Sequence, residues 1–146
     1  MVTDIQRLRE ETGAGVMECK RALQDARGDY KKAVALIRER GLLKADKRRD
    51  RATGAGLLEA YIHNGRVGVL LDLRSETDFV AHSDPFRELA HELALQISAM
   101  APENTTALLA APYIKNASQT VEEVIKGVIA KVGENIRVER FTRYEL

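Results

Sequence analysis

The sequence is short of several residue types, and each shortage excludes something. Its 146 residues hold one cysteine, Cys19, and no tryptophan. A single thiol rules out an intramolecular disulfide and any zinc site built on cysteines. No apolar run approaches the roughly 18–20 residues that a membrane span needs. The opening Met1-Val2-Thr3-Asp4 lacks both the basic stretch and the apolar core of a secretion signal. A cytoplasmic protein without a membrane partner is the expectation. No sign of charge dominates either, the net charge being +1.

What is present has structure in it. Apolar residues make up 45% of the chain, enough for a buried core and too many for a disordered segment. The near-zero net charge conceals an asymmetry: residues 1–53 carry +5, residues 54–100 carry −4, and the remainder is neutral. Two units with different surfaces are implied.

The first unit reads as three short helices. Thr3 and Gln6 have the spacing of a capping box, Ile5 and Leu8 supply an apolar stripe, and Gly13 is placed to stop the helix. Val16, Cys19, Ala22, Leu23 and Ala26 then share one face of a second helix, which Gly28 ends. Asp29 caps a third, with Tyr30, Ala33, Val34, Leu36 and Ile37 inward and Gly41 at its end. Helices this short are not stable alone, so a three-helix domain is predicted over residues 1–41. Met17 lies off the inward stripe beside Lys20 and Arg21. Spacing reads it as an isolated exposed methionine, with a partner contact as the alternative. Cys19 reads as a small core residue.

Residues 44–51, Lys-Ala-Asp-Lys-Arg-Arg-Asp-Arg, form a basic run inside a linker helix predicted over 42–55. A nucleic-acid contact is the sharper reading. The run contains no aromatic side chain to stack a base, and neither a helix-turn-helix nor a zinc pattern accompanies it. A solvated linker is expected, with no direct nucleic-acid binding.

Residues 56–146 read as an α+β core. Leu58, Ala60 and Ile62 alternate with Leu57, Glu59 and Tyr61; Asn64-Gly65 marks a hairpin turn; Val67, Val69, Leu71 and Leu73 alternate again. The predicted strands run over about 56–63 and 66–74. Asp84-Pro85 opens a long helix with Phe86, Leu89, Ala90, Leu93 and Ile97 inward. Residues 103–119 read as irregular. Thr120 and Glu123 form another capping box ahead of the stripe Val121, Val124, Ile125, Val128, Ile129 and Val132, which Gly133 stops. Ile136 and Val138 begin a third strand, and Phe141, out of phase, calls for a bulge. The prediction is a small three-stranded antiparallel sheet with helices packed on one face. Leu70 points away from Val69 and Leu71, so the other face also carries apolar residues. A partner or a second copy of the chain would cover it, a loop being the alternative.

Catalytic patterns are missing. Gly13-Ala14-Gly15 fails the dinucleotide fingerprint and follows a helix, and no phosphate-binding Gly-x4-Gly-Lys is present. His63, His82 and His91 lack metal-ligand spacing. No enzyme activity, cofactor or metal is expected. The informative stretch is Ser75-Glu76-Thr77-Asp78-Phe79-Val80-Ala81-His82, between a strand and the long helix. Ser75 with Asp78, or Thr77 itself, suits the cap of a single turn. Phe79 would then either project from the sheet edge or fold inward, and so short a segment has no periodicity to choose between them.

Three stretches carry a resemblance. Thr12-Gly13-Ala14-Gly15-Val16-Met17-Glu18-Cys19-Lys20-Arg21-Ala22-Leu23 resembles the N-terminal signature of the elongation factor Ts family. Ser75 to Ala81 resembles its second signature, and Lys131-Val132-Gly133-Glu134-Asn135-Ile136, followed by Arg140-Phe141, a third. Their order and spacing agree and together span nearly the whole chain. The resemblance implies a ubiquitin-associated-like N-terminal domain and a guanine-nucleotide exchange factor for elongation factor Tu, the GTPase that carries aminoacyl-tRNA. It implies that Val16 and Met17 touch the partner's GTPase domain. It implies that Thr77, Asp78, Phe79 and Val80 dislocate the partner's Mg²⁺ site, Asp78 and Phe79 pushing in. The chain departs from longer members in lacking their second core repeat, coiled-coil hairpin and C-terminal module, with residues 101–120 as a truncated junction. A homodimer, completing one small core with another and giving a two-plus-two complex, is the corresponding expectation.

Overall fold

Apolar spacing at three and four residues builds the N-terminal helices of the computed structural model, which describes residues 2–146. They are α1 (Val2–Thr12), α2 (Val16–Asp25) and α3 (Tyr30–Arg48). Leu8, Cys19, Ala22, Leu23, Ala26, Ala33, Val34 and Ile37 form their shared core, with Ile5, Ala14, Tyr30 and Leu36 against it. The starts are set locally. Asp29 accepts the Lys32 N–H and caps α3, and Gly13 takes a φ of 72° as its N–H closes on the Arg9 carbonyl. Two expectations are corrected. α1 is already helical at Val2, so Thr3 lies within its first turn and not at its cap. Gly41 does not end α3. It lies buried inside the helix, at the point where a side chain would meet the Cβ of Ala130 at 3.2 Å. Glycine here serves close helix packing, although inside a helix it costs about 0.5–1 kcal/mol relative to alanine.

α3 therefore runs unbroken to Arg48, and its last turns pack on the rest of the molecule. Ala45 belongs to the second core. Lys126 pairs with Asp46 at 2.8 Å, and the Arg48 guanidinium donates to the Ile129 carbonyl. The linker helix expected over 42–55 is corrected: residues 42–48 are the packed end of α3, the basic run finishes in the turn beyond Arg48, and Ala55 already begins the first strand.

The second core is organised by β1 (Ala55–His63), β2 (Val67–Ser75) and β5 (Ile136–Glu145), all antiparallel in the order β1-β2-β5. Asn64 and Gly65, both at positive φ, turn β1 into β2. In β5 the register shifts opposite Asp72 and Leu73, with Arg140 facing the first and Val138 the second. Glu139 is the extra residue, and this bulge turns both Val138 and Phe141 toward the core. The phase break in the sequence has that cause. One face carries Leu57, Leu71, Leu73, Val69 and Val138 under α5 (Asp84–Met100) and α7 (Val121–Val132). Phe86, Leu93 and Ile97 of α5 and Val121, Ile125 and Ile129 of α7 fill the space between. Thr120 accepts the Glu123 N–H to cap α7, and Gly133 closes it at a φ of 77°. Ser83, one residue earlier than Asp84, holds the N-cap position of α5 without a side-chain cap bond. The fold is α+β, a helical N-terminal region followed by a small antiparallel sheet with helices on one face.

Residues 103–119 are more ordered than their composition suggested. Asn104 accepts the Ala107 N–H and starts α6 (Thr105–Ala110), which buries Leu108. A two-stranded ribbon follows, β3 (Pro112–Tyr113) with β4 (Asn116–Thr120). Gln96, fully buried on α5, holds it in place: its amide donates to the Pro112 carbonyl and accepts the Ile114 N–H.

Candidate functional site

The stretch after β2 forms α4 (Asp78–Ala81), a single turn. Thr77 is its cap: extended at φ −129°, it accepts the Val80 N–H through Oγ1. Ser75 is fully buried and donates to the Thr77 carbonyl. Val80 and Ala81 enter the core. Ser83 donates to the Val80 carbonyl, closing the turn from behind. With Val80 and Ala81 pointing in, a turn of four residues leaves its opposite side outward. Phe79 is 87% exposed. Inward folding of Phe79 is thereby excluded, and Asp78 is exposed beside it.

A second turn underpins the first. Glu134, after α7, accepts the Thr77 N–H at 2.9 Å through one carboxylate oxygen and the Thr77 hydroxyl at 2.7 Å through the other. Its buried neighbour Asn135 donates its backbone N–H to Glu76 at 2.7 Å. The Asn135 amide donates to the carbonyls of Arg49 and Arg51, and Arg51 also faces Glu76 at 3.6 Å. The exit of α3, the exchange of strand for turn after β2, and the turn after α7 are thus joined in one network. The sequence marked Lys131–Ile136 as a motif but gave Glu134 and Asn135 no role. Their partners lie 57 and more residues away, beyond the reach of local pattern.

Val16 and Met17 open α2 on the other unit. Spacing placed Val16 on the inward stripe; it is 47% exposed, because it is the terminal residue of the helix and the bundle does not extend over it. Met17 is 60% exposed, off the stripe as expected. Cys19 is fully buried, and burial pushes its thiol above the ordinary range. It is a core residue. A cleft of about 530 Å³ lies between the N-terminal helices and α7, lined among others by Glu18, Arg38, Lys44, Glu123 and Lys131. None of Val16, Met17 or Thr77–Val80 lines it. Among the described residues, no three His, Cys, Asp or Glu side chains are grouped to hold a metal, and no helix is long and apolar enough to cross a membrane.

The molecule is an α+β protein that presents the expected contact residues at two exposed places, Val16 and Met17 on a helical module and Phe79 on a braced turn beside the sheet. The comparisons with known proteins narrow that class. A family model described as elongation factor TS matches residues 76–146. Elongation factor Ts of Coprothermobacter proteolyticus is 39% identical, the alignment covering 97% of this chain and 95% of that protein. Elongation factor Ts of Thermotoga neapolitana is 40% identical over 97% and 94%. The chloroplastic polyprotein of EF-Ts from Oryza sativa subsp. indica is 38% identical, over 97% of this chain and 17% of its own length. The chain belongs to the elongation factor Ts family. The first alignment has 188 positions, 42 more than the 146 residues of this chain. At least that many residues of the relative therefore have no counterpart here.

Proposed function

We propose that this protein is a guanine-nucleotide exchange factor that promotes GDP release from elongation factor Tu during translation elongation. The observation that carries the reading is Phe79, 87% exposed on a turn whose other side is buried. A large aromatic ring held in water by a rigid support is a poor folding element and a good wedge. Asp78 beside it offers a carboxylate that accepts hydrogen bonds from a displaced segment. Val16 and Met17 supply the second contact, on the partner's GTPase domain. Met adapts its shape to an apolar surface at low cost.

Linkage supplies the mechanism. A GTPase holds GDP through a phosphate-cradling loop and through Mg²⁺ on the phosphate oxygens. A factor that binds the nucleotide-free form more tightly than the GDP form weakens GDP by the same ratio. The Thr77–Val80 turn acts by disturbing the partner's side chains around its Mg²⁺. The exchange needs no acid, base or nucleophile from this chain. It is not an enzyme in the chemical sense, uses no cofactor of its own, binds no nucleic acid directly, and works in the cytoplasm. Residues 1–41 act as a ubiquitin-associated-like domain, 42–55 as the connecting basic segment and 56–146 as the core and dimerisation domain.

A homodimer, and a two-plus-two complex with the partner, belong to the same reading. The face of the sheet turned away from α5 and α7 carries Leu58 (63% exposed), Ile62 (65%), Leu70 (45%) and Tyr144 (77%). Register brings Leu58 beside Asp72, Ala60 beside Leu70, and Gly68 between Ile62 and Tyr144. An antiparallel sheet with a wet outer face alternates toward polar residues; here Asp72, Arg74, Arg140 and Thr142 follow that rule, while Leu58, Ile62, Leu70 and Tyr144 leave an exposed apolar patch among them. A second copy buries the same face against itself.

The test is release of a fluorescent GDP analogue from elongation factor Tu. Acceleration by substoichiometric amounts of this chain is the expected result. Release at the spontaneous rate, with a folded chain and a matched partner, contradicts the proposal.

A further inference from the structure

We propose that Glu134 is a positioning residue for exchange, the side chain that sets the Thr77–Val80 turn with Phe79 outward. The inference rests on the exchange reading above and extends it to a residue that acts through Thr77.

The geometry is specific. Thr77 Oγ1 has two tasks, donating its hydroxyl proton to Glu134 at 2.7 Å and accepting the Val80 N–H at 3.4 Å. A hydroxyl has one proton and two acceptor sites. Fixing the proton on Glu134 turns a lone pair toward Val80, so the carboxylate orients the cap as well as tethering it. The other carboxylate oxygen takes the Thr77 N–H at 2.9 Å, in the residue where the chain leaves β2. Two charge-assisted bonds to one residue fix direction as well as position. Without them the cap bond, at 3.4 Å, is long for an N–H···O contact, and a single turn does not hold itself.

The placement of Glu134 explains why the bracing is stiff. It follows Gly133, the left-handed terminus of α7, and precedes buried Asn135, whose three bonds tie the same turn to Glu76, Arg49 and Arg51. The carboxylate is therefore presented from an anchored backbone. A reacting or displacing group misplaced by about 1 Å can lose a hundredfold in rate, so loosening this support is expressed in exchange before it is expressed in stability.

The experiment compares the full chain with Glu134→Ala, Glu134→Gln and Phe79→Ala by two readouts. The first is amide hydrogen exchange of Thr77–Val80 in the chain alone, which needs no partner. Glu134→Ala is expected to speed it at least tenfold, leaving the Leu71 and Leu73 amides of β2 unchanged. Glu134→Gln, which keeps one acceptor oxygen, falls between. The second is the GDP-release rate at saturating factor, expected to fall about tenfold for Glu134→Ala with partial recovery in Glu134→Gln. Unchanged amide exchange at Thr77–Val80 overturns the proposal whatever the release rates. Altered amide exchange with wild-type release by Glu134→Ala, while Phe79→Ala is deficient, overturns the role in exchange but leaves the exchange reading standing. Wild-type release by Phe79→Ala as well overturns that reading itself.

Discussion

Phe79 keeps nearly all of its ring in water, forgoing the roughly 1.5–3 kcal/mol that burial of such a side chain contributes. Nothing in the fold depends on it, so Phe79→Ala is expected to change stability by less than about 0.5 kcal/mol, measured by denaturant titration. Asp72 is the opposite case, a carboxylate 5% exposed on the outer face of the sheet. Arg74 holds it with bonds of 2.6 and 3.1 Å, and Arg140 adds one of 3.3 Å. The hydrogen bond from Arg74 foremost holds this carboxyl below the usual carboxylate range, against the opposing effect of burial. A folded-state pKa below the unfolded one gives stability that is present above about pH 4 and lost as pH falls through the folded value. Asp72→Asn is thus expected to be less stable than the parent at pH 7, and the gap to narrow below pH 4. A gap constant from pH 7 to pH 2 in denaturant titrations contradicts the ion pairing. At this scale the sequence disclosed caps and stripes. Thr77 as a cap, Met17 off the stripe and Cys19 in the core were all legible. The direction of Phe79 was not, because four residues hold no period, and Glu134 was not, because its partner is remote in the chain.

Elements were read best where a stripe was long. The hairpin, α5, α7 and the bulged β5 follow from alternation, spacing and one break of phase. α3 was cut short at Gly41 because a glycine stop and a glycine at a helix crossing look alike in sequence. Only the approach of Ala130, whose Cβ would lie 3.2 Å from an added carbon, separates them. Gly41→Leu forces α3 away from α7, and overpacking of this kind costs about 1–3 kcal/mol. The measured unfolding free energy is expected to fall by that amount; an unchanged value would mean that the crossing is looser than described. α6 and the β3–β4 ribbon were missed for a different reason. They are too short, six, two and five residues, to show a period, and the buried amide that holds the ribbon, Gln96, lies on α5.

For the whole molecule, the account joins a helical module to a sheet through one continuous helix. The Gly41 contact, the Lys126–Asp46 pair and the Asn135 bonds to Arg49 and Arg51 all cross that junction. Val16 and Met17 are thereby carried on the same packed framework as Phe79. The apolar patch of Leu58, Ile62, Leu70 and Tyr144 on the outer face of the sheet gives the proposed dimer its contact. Leu70→Lys places a charge at its centre and is expected to raise the dimer dissociation constant at least tenfold, read by sedimentation; a parent chain monomeric at micromolar concentration contradicts the interface. The family was legible because three motifs occurred in order. The most direct measurement is release of a fluorescent GDP analogue from elongation factor Tu, run side by side with the parent chain and Phe79→Ala. The account predicts strong acceleration by the parent and at least a tenfold loss with the variant, at unchanged stability. Equal acceleration by both would contradict the claim that the Phe79 turn drives exchange.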